Sequence, residues 1–445
     1  MSAKLAGKLF TQKRFLPLFV LFQAGTFNDN ALKQALIGLV TYAGLIIFSG
    51  MEPKEAVPIA ALFFTMPFLI LCAISGQIAD KFDRGLILKV IKRVEVFIMI
   101  LAAVGFWFTS APILCAALAL MGAQSSFLGP TKNAVLPYWL KDDELITANG
   151  LLSGFQFFML LLGQVFGLLL VLAALPDGGY FNGLITGPRL LAIILLVLAF
   201  IGWIAGENVP PAPAPMPDLK VDYNPITATF KVLKFAWQDK PVFRPLLGIA
   251  WFYGLSAIFI TAFPSYVKDV LGFDQNVLTA ILAGSTVGIL VGALLCVALA
   301  KGKEAMGLVT IGIIGIALFS LDICFNTVKF QGEGLGTLSD FFATPGSKRL
   351  YIDIVGASMC NGLFLVPLQA MAQIRSDDTR RARLMAGGAV MYNFAVNFFT
   401  FALVWMGAQN LPDNSPFWVV VIVSTIVAIY AVYRFLQIRN ETKAA

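Results

Sequence analysis

The residues from Asn28 to Gln34 carry the chain's densest chemistry. Phe27-Asn28-Asp29-Asn30-Ala31-Leu32-Lys33-Gln34 interrupts apolar sequence that runs from Phe15 to Gly25 and resumes from Ala35 to Phe48. Read as one helix rising roughly 1.5 Å per residue, the segment puts Asp29 about 20 Å from its start. That depth is near the middle of a hydrocarbon core about 30 Å thick. A charge there costs at least ~2.5–3.5 kcal/mol on insertion scales, so it faces a cavity or a partner. Asp29 and Lys33 are four apart on one helix face and can neutralise each other. Asn30 and Gln34 form a second polar pair beside them. One reading is a self-paired ion bridge that only packs the first helix against its neighbours. The other is a polar wall on a substrate path, with Asn28, Asp29, Asn30 and Lys33 as substrate contacts. The crowding of amides and charges favours the second.

Polar groups recur in the second half, where Asn361, Gln369, Asn393 and Asn397 interrupt apolar runs. Asn393 and Asn397 share a helix face at a spacing of four and are candidate contacts from that half. The chain contains no histidine, which removes histidine proton relays, histidine metal sites and Ser-His-Asp catalysis. An HxxxxD acyltransferase motif is excluded for the same reason. Cys72, Cys115, Cys296, Cys324 and Cys360 lie in or beside apolar runs without CxxC spacing and read as packing residues. No GxxxxGK[ST] phosphate loop is present, so nothing supports direct ATP coupling. These exclusions predict a chain that is not an enzyme and needs no cofactor or metal.

The elements that must hold these groups are membrane helices. Hydrophobic residues make up 58% of the 445, and charged residues only 13%; mean hydropathy is +0.82. Soluble domains are nearer 45–50% apolar and about 25% charged. Twelve spans are expected, at 15–48, 56–79, 87–108, 112–137, 145–174, 185–206, 244–267, 276–300, 305–325, 351–373, 384–408 and 416–436. With the N-terminus inside, 25 of the 32 basic residues fall on the cytoplasmic side, Lys89, Lys92 and Arg93 among them, 6 fall opposite, and Lys33 lies within the first span. This asymmetry follows the positive-inside rule and predicts both termini in the cytoplasm. It also accounts for the net charge of +7 without a nucleic-acid partner.

The longest polar stretch, 207–243, divides the chain into a six-helix half at 1–206 and another at 244–445. It opens with a stiff, extended spacer, Val209-Pro210-Pro211-Ala212-Pro213-Ala214-Pro215-Met216-Pro217. Asn224-Pro225 then offers an N-cap followed by proline at the first helical position. Ile226, Phe230, Leu233 and Trp237 repeat at helical spacing, with Lys231, Lys234 and Lys240 around the wheel, which predicts an interfacial helix. The halves echo each other. Gly129-Pro130 leads into a polar loop with Asp142-Asp143 and Ala148-Asn149-Gly150, and Val366-Pro367 into one with Asp377-Asp378 and Ala386-Gly387-Gly388. Gly163-xxx-Gly167 and Gly284-xxx-Gly288-xxx-Gly292 read as ridges for close helix packing.

Gly76-Gln77-Ile78-Ala79-Asp80-Lys81-Phe82-Asp83-Arg84-Gly85 resembles the loop signature of the major facilitator superfamily. Gly76 would let helices approach closely, and Asp80 would cap a neighbouring helix N-terminus or pair with a loop arginine such as Arg84, latching one conformation. The superfamily's second glycine is replaced here by Asp83, and its second basic residue by Gly85. Within that superfamily, Gly25-Thr26-Phe27-Asn28-Asp29-Asn30 with Lys33, Gly129-Pro130-Thr131-Lys132 with Leu136-Pro137, and Glu144 to Leu151 resemble the bacterial lysophospholipid transporters. The resemblance implies an all-α membrane protein of twelve helices in two halves, working by alternating access in the bacterial inner membrane. It implies lysophospholipid as substrate, carried from the outer to the inner leaflet. Lys132 then joins the candidate substrate contacts, with membrane lipids as surroundings and a separate acyltransferase and acyl carrier protein ligase as partners. A head group would take the polar break, and phenylalanine-rich walls such as Phe155 to Phe158 and Phe398 to Phe401 would take one chain. The rival reading is a proton-coupled transporter of a small amphipathic or water-soluble solute, with Asp29 as the proton site.

Overall fold

The computed structural model describes residues 3–173, 184–300, 306–376 and 378–444. Some side chains within helices stand outside that description, among them Asp142, Asp143, Asn149 and Asp378. Asp377 lies outside it as well, so the acidic pairs expected to echo each other, Asp142-Asp143 and Asp377-Asp378, fall outside the description.

The described chain is helical throughout. After a short α1 (Ala3–Phe10) come α2 (Leu16–Tyr42), α3 (Pro53–Lys81), α4 (Arg84–Trp107), α5 (Ala111–Trp139), α6 (Asp142–Val171) and α7 (Gly187–Glu207). The linker helix is α8 (Pro225–Gln238). Then follow α9 (Lys240–Ser265), α10 (Gln275–Ala300), α11 (Met306–Cys324), α12 (Leu338–Ala343), α13 (Ser347–Ile374), α14 (Asp378–Ala408) and α15 (Ser415–Ala444). Twelve of these helices have 19 residues or more and coincide with the twelve expected spans. Ten of the twelve are long and apolar enough to cross a membrane; α2 and α4 fall short.

Local sequence explains most ends. Asp83 caps α4 by accepting from the Leu86 amide at 2.9 Å. The expected first span ends six residues early, at Tyr42, because the chain turns through Gly44 and Gly50, both at positive φ. Pro130 and Pro367 do not lead directly into loops: α5 continues to Trp139 and α13 to Ile374. Proline in a membrane helix is tolerated when neighbouring groups take up the freed carbonyl.

Contacts divide the chain into two compact units, residues 1–51 with 60–230, and 52–59 with 231–445. In the first, α2 lies along α6 and α7. A Cβ at Gly163 would sit 2.7 Å from the Phe27 carbonyl oxygen, and one at Gly167 2.5 Å from that of Ala31. The expected ridge is therefore where α6 meets α2 backbone to backbone. In the second unit, a Cβ at Gly288 would come 2.6 Å from the Val355 carbonyl oxygen, and one at Gly292 would collide with that of Met359. That ridge locks α10 against α13. The start of α13 is tied to the end of α11 by Arg349, which forms a two-pronged ion pair with Asp322 at 2.8 and 2.5 Å.

The linker departs from a free spacer. Arg84 N–H donates to the Ala212 carbonyl at 2.9 Å, Trp139 Nε1 to Pro211 O at 3.2 Å, and Met216 N–H to Asp80 O at 3.0 Å. Val209 and Ala212 are buried in the same apolar cluster as Phe15, Leu88 and Trp139. The prolines keep the strand extended, and its carbonyls and small side chains then dock on the turn between α3 and α4. The next helix matches its expected capping, with Asn224 Oδ1 accepting from the Ile226 amide at 3.0 Å. Its small residues Ala228 and Ala236 are buried, whereas Ile226, Phe230 and Trp237 are exposed.

Candidate functional site

The polar break of α2 splits between two faces. Asp29, Asn30 and Lys33 are half-buried, while Asn28 and Gln34 are fully buried. On the half-buried face Asp29 does not pair with Lys33. Its carboxylate accepts from the Ser125 hydroxyl of α5, at 2.9 and 3.1 Å to its two oxygens. Lys33 Nζ lies over the Phe64 ring of α3, 5.8 Å from its centroid. The expected ion bridge is absent because each charge has a partner on a different neighbouring helix. The expected Asn30–Gln34 pair is absent too: Asn30 Nδ2 donates to the Thr26 carbonyl of its own helix at 2.8 Å, and both amide atoms of Gln34 are buried without a protein partner.

The buried face leads to a group that sequence reasoning placed elsewhere. Asn28 Nδ2 donates to Glu95 Oε1 of α4 at 3.1 Å and to the Leu195 carbonyl of α7 at 3.4 Å. Glu95 in turn forms an ion pair with Lys92 one turn away, and both side chains are completely buried. Lys92 therefore does not belong with the cytoplasmic charges that set orientation. Its site is built by glycines: a Cβ at Gly25 would lie 2.7 Å from Lys92 Nζ, and one at Gly206 3.1 Å from Lys92 Cβ. Two opposite charges can be held in this apolar surrounding because they neutralise each other and Asn28 supplies a further hydrogen bond. The available signal was Glu95 itself, the one acidic residue in the third expected span. Ser125 carried no signal, since serine is common in membrane helices and only helix rotation aims it at Asp29.

Lys132 on α5 stacks over the Phe22 ring, 4.1 Å from its centroid, a cation–π contact that ties α5 to α2. In the second unit Asn393 and Asn397 are buried. Asn393 Nδ2 donates to Ala389 O and Asn397 Nδ2 to Asn393 O, both at 2.9 Å and both within α14.

At the turn between α3 and α4, Asp80 and Arg84 meet as expected, with Nη2 3.3 Å from Oδ1; Arg84 Nε also donates to the Ala79 carbonyl at 3.0 Å. Gly76 does not serve close packing, since a Cβ there would meet nothing within 4 Å. The crowded glycine is Gly85, where a Cβ would lie 2.5 Å from the Pro210 carbonyl oxygen. Asp83 Oδ1 accepts from the Ala212 amide at 3.3 Å as well as capping α4. Both departures from the superfamily's loop signature are thus explained by the linker docked over the turn. Beside it, Glu144 at the start of α6 is clamped by Arg14, whose Nη2 lies 2.9 Å from both carboxylate oxygens, and by the Lys141 amide at 3.1 Å.

The Major Facilitator Superfamily model matches residues 89–330. A lysophospholipid transporter, LplT, of Enterobacter sp. (strain 638) is 26% identical over 393 residues, covering 86% of this chain and 85% of the relative. The LplT of Cronobacter sakazakii is 25% identical over 431 residues, 96% and 95% of the two chains. Among solved structures, a bacterial homologue of the human lysosomal transporter Spinster, inward-facing and unoccupied, superposes with a TM-score of 0.64 at 13% identity, over 95% of this chain and 96% of that one. An auto-inhibited POT family peptide transporter gives 0.63 at 10% identity, over 96% and 97%. With the family's model spanning more than half of the sequence and the helix order of its transporters present, the chain belongs to the major facilitator superfamily.

Proposed function

We propose that this transporter moves lysophospholipid between the leaflets of a bacterial inner membrane by alternating access. The observation that carries the reading is the half-buried face of α2. Asp29 and Lys33 stand four residues apart, about 6 Å along the helix axis, and each contacts a different neighbouring helix, Asp29 through Ser125 and Lys33 through Phe64. A carboxylate and an ammonium left separate on one face match a head group that carries a phosphate and an amine. Ser125, Asn30 and Lys132 complete the candidate contacts in that unit, with Asn393 and Asn397 in the other. Relatives named as lysophospholipid transporters, matched over most of both chains, support the same cargo. In this reading both termini are cytoplasmic, and the linker 207–243 separates the two six-helix halves in sequence. The exposed apolar stripe of α8 lies on the inner membrane surface, and Asp80 with Arg84 latches one access state. A separate acyltransferase and acyl carrier protein ligase would consume the delivered cargo.

A second reading keeps Asp29 as a proton site for a small solute, because its carboxylate accepts from a hydroxyl and makes no ion pair among the described residues. Transfer of labelled lysophospholipid in proteoliposomes, with and without a pH gradient, separates the two. Under the lipid reading Asp29→Asn and Lys33→Gln each fold and lose roughly ten- to a hundredfold of transfer, the worth of one charged hydrogen bond of ~1.5–3 kcal/mol. Wild-type transfer by a folded Asp29→Asn/Lys33→Gln protein would sink this site.

A further inference from the structure

The linker helix α8 meets α9 at an elbow through Asp239. One side of α8 is pressed against α14: a Cβ at Gly387 would lie 2.8 Å from Ala236 Cβ and 3.4 Å from the Val232 carbonyl oxygen. With its small side turned inward, α8 leaves Lys234 and Trp237 exposed. Lys240, the first residue of α9, lies back over the Trp237 ring, with Nζ 3.2 Å from its centroid, and Phe243 meets the same indole edge-on at 4.8 Å. Arg244 follows one turn after Lys240 on the same face of α9 and is exposed as well. Lys234, Lys240 and Arg244 make no ion pair among the described residues. Asp239 is the one carboxylate in residues 231–247, against four basic side chains.

The setting narrows what could pair these cations. Like charges one helix turn apart repel, and a cation–π contact positions an ammonium without neutralising it. The apolar span of α9 begins at Lys240, and that of α13 ends at Ile374. Arg375, just past α13, donates to the Pro241 carbonyl at 3.4 Å, so the two ends lie side by side. The elbow therefore stands where two spans leave the hydrocarbon, the level at which tryptophan is enriched in membrane proteins. Leu247, one turn deeper than Arg244 on the same face of α9, is 53% exposed. One stripe of α9 thus runs from cation to cation to apolar side chain. An anionic lipid matches all of it, with phosphate oxygens against Lys240 and Arg244 and an acyl chain along Leu247. A soluble acidic partner matches only the charged part, and a zwitterionic lipid brings a further ammonium into a cluster already positive.

We infer that the α8–α9 elbow is a binding site for an anionic diacyl phospholipid of the inner leaflet, held through Lys234, Lys240 and Arg244 beside Trp237. The inference rests on the orientation proposed above, with α8 on the inner membrane surface, and adds to it the class of lipid that holds the helix there. This lipid is a resident of the second unit and not the cargo: it sits on the outside of α9, against side chains that the candidate substrate contacts do not include.

The test titrates the full-length protein in detergent with phosphatidylglycerol or with phosphatidylcholine of the same chains, and counts bound lipid by native mass spectrometry. The wild type should hold phosphatidylglycerol about tenfold more tightly. Lys240→Gln/Arg244→Gln should lose most of that preference, at about fivefold per charge, the scale of one basic residue against an anionic leaflet. Lys240→Arg, which keeps the charge, should retain it. Both sites are exposed, and monodispersity in detergent checks that each variant is folded. A control, Lys13→Gln/Lys220→Gln, removes the same charge from exposed positions outside the elbow and should leave the preference intact. No preference in the wild type overturns the site. An equal loss in the control does so too, since it would mean diffuse attraction to a positive protein. Glycerol phosphate, a phosphate without chains, should not displace the lipid at equal concentration; displacement would reassign the elbow to a soluble acidic partner. Binding is read apart from transport, so failure to move lysophospholipid overturns the proposed cargo, and loss of lipid preference overturns the elbow site.

Discussion

Asp29 and Glu95 sit on adjoining helices of one unit, yet they are different kinds of charge. Asp29 is half-buried, held by a hydroxyl, and separate from the lysine one turn along. Glu95 is fully buried, paired with Lys92 and bonded to Asn28. The first arrangement leaves charge available to a ligand; the second consumes it in the fold. Removing one member of a buried pair strands the other, at a typical cost of ~3–5 kcal/mol, whereas replacing both by apolar residues of similar volume is often tolerated. Glu95→Leu alone should therefore cut folded membrane yield sharply, and Glu95→Leu with Lys92→Met should recover most of it. Fluorescence-detected size exclusion of tagged protein measures this. A double variant as poor as the single one would mean that the pair does more than neutralise itself.

At the scale of elements, the docked linker makes the turn between α3 and α4 a three-part joint of Asp83, Gly85 and the Pro210 to Ala212 segment. Gly85→Ala should displace that segment, because the new methyl would sit 2.5 Å from a backbone carbonyl that cannot rotate away. A cysteine at the buried Ala212 should then react several-fold faster with a water-soluble thiol reagent than it does beside Gly85. Unchanged labelling would show that the turn absorbs the methyl by itself. Sequence reading succeeded where information is local: the twelve long helices, the Asn224 cap, the ridges at Gly163–Gly167 and Gly284–Gly292, and the Asp80–Arg84 pair. It failed where the answer depends on how one helix is rotated toward another. The apolar runs mark α2 and α4 as long helices but do not say that Asn28 faces Glu95 or that Ser125 faces Asp29. The proline run misled for a related reason: its stiffness is visible in sequence, but its docking partners, the 80–84 turn and Trp139, are distant in sequence.

At the scale of the molecule, the clamp on Glu144 joins the N-terminal segment to the start of α6 and gives stability a pH dependence. Burial pulls the Glu144 carboxyl up, but the Lys141 amide, the Gln12 amide and the Arg14 guanidinium outweigh it and hold it below the usual carboxylate range. A depressed carboxyl contributes fully above its unfolded value, near 4.5, and loses that contribution as pH falls through the lower folded value. The thermal midpoint of Glu144→Gln should lie below wild type at pH 7, and the gap should close toward pH 3. A gap constant with pH would assign the loss to packing. The Lys92–Glu95 pair bears on the molecule's history as well as its stability. The helices that hold Asn28 and the ion pair, α2 and α4, are the two long ones not apolar enough to enter a membrane on composition alone. α2 leaves the ribosome first, with its polar break uncovered, and α4 follows with two opposite charges and no amide beside them. Each supplies what the other lacks only after both have been synthesised. We therefore expect an order of biogenesis: the first span should stay at the insertion machinery until the third arrives, so that crosslinks from α2 to that machinery persist in nascent chains arrested before α4 and fade once α4 is complete.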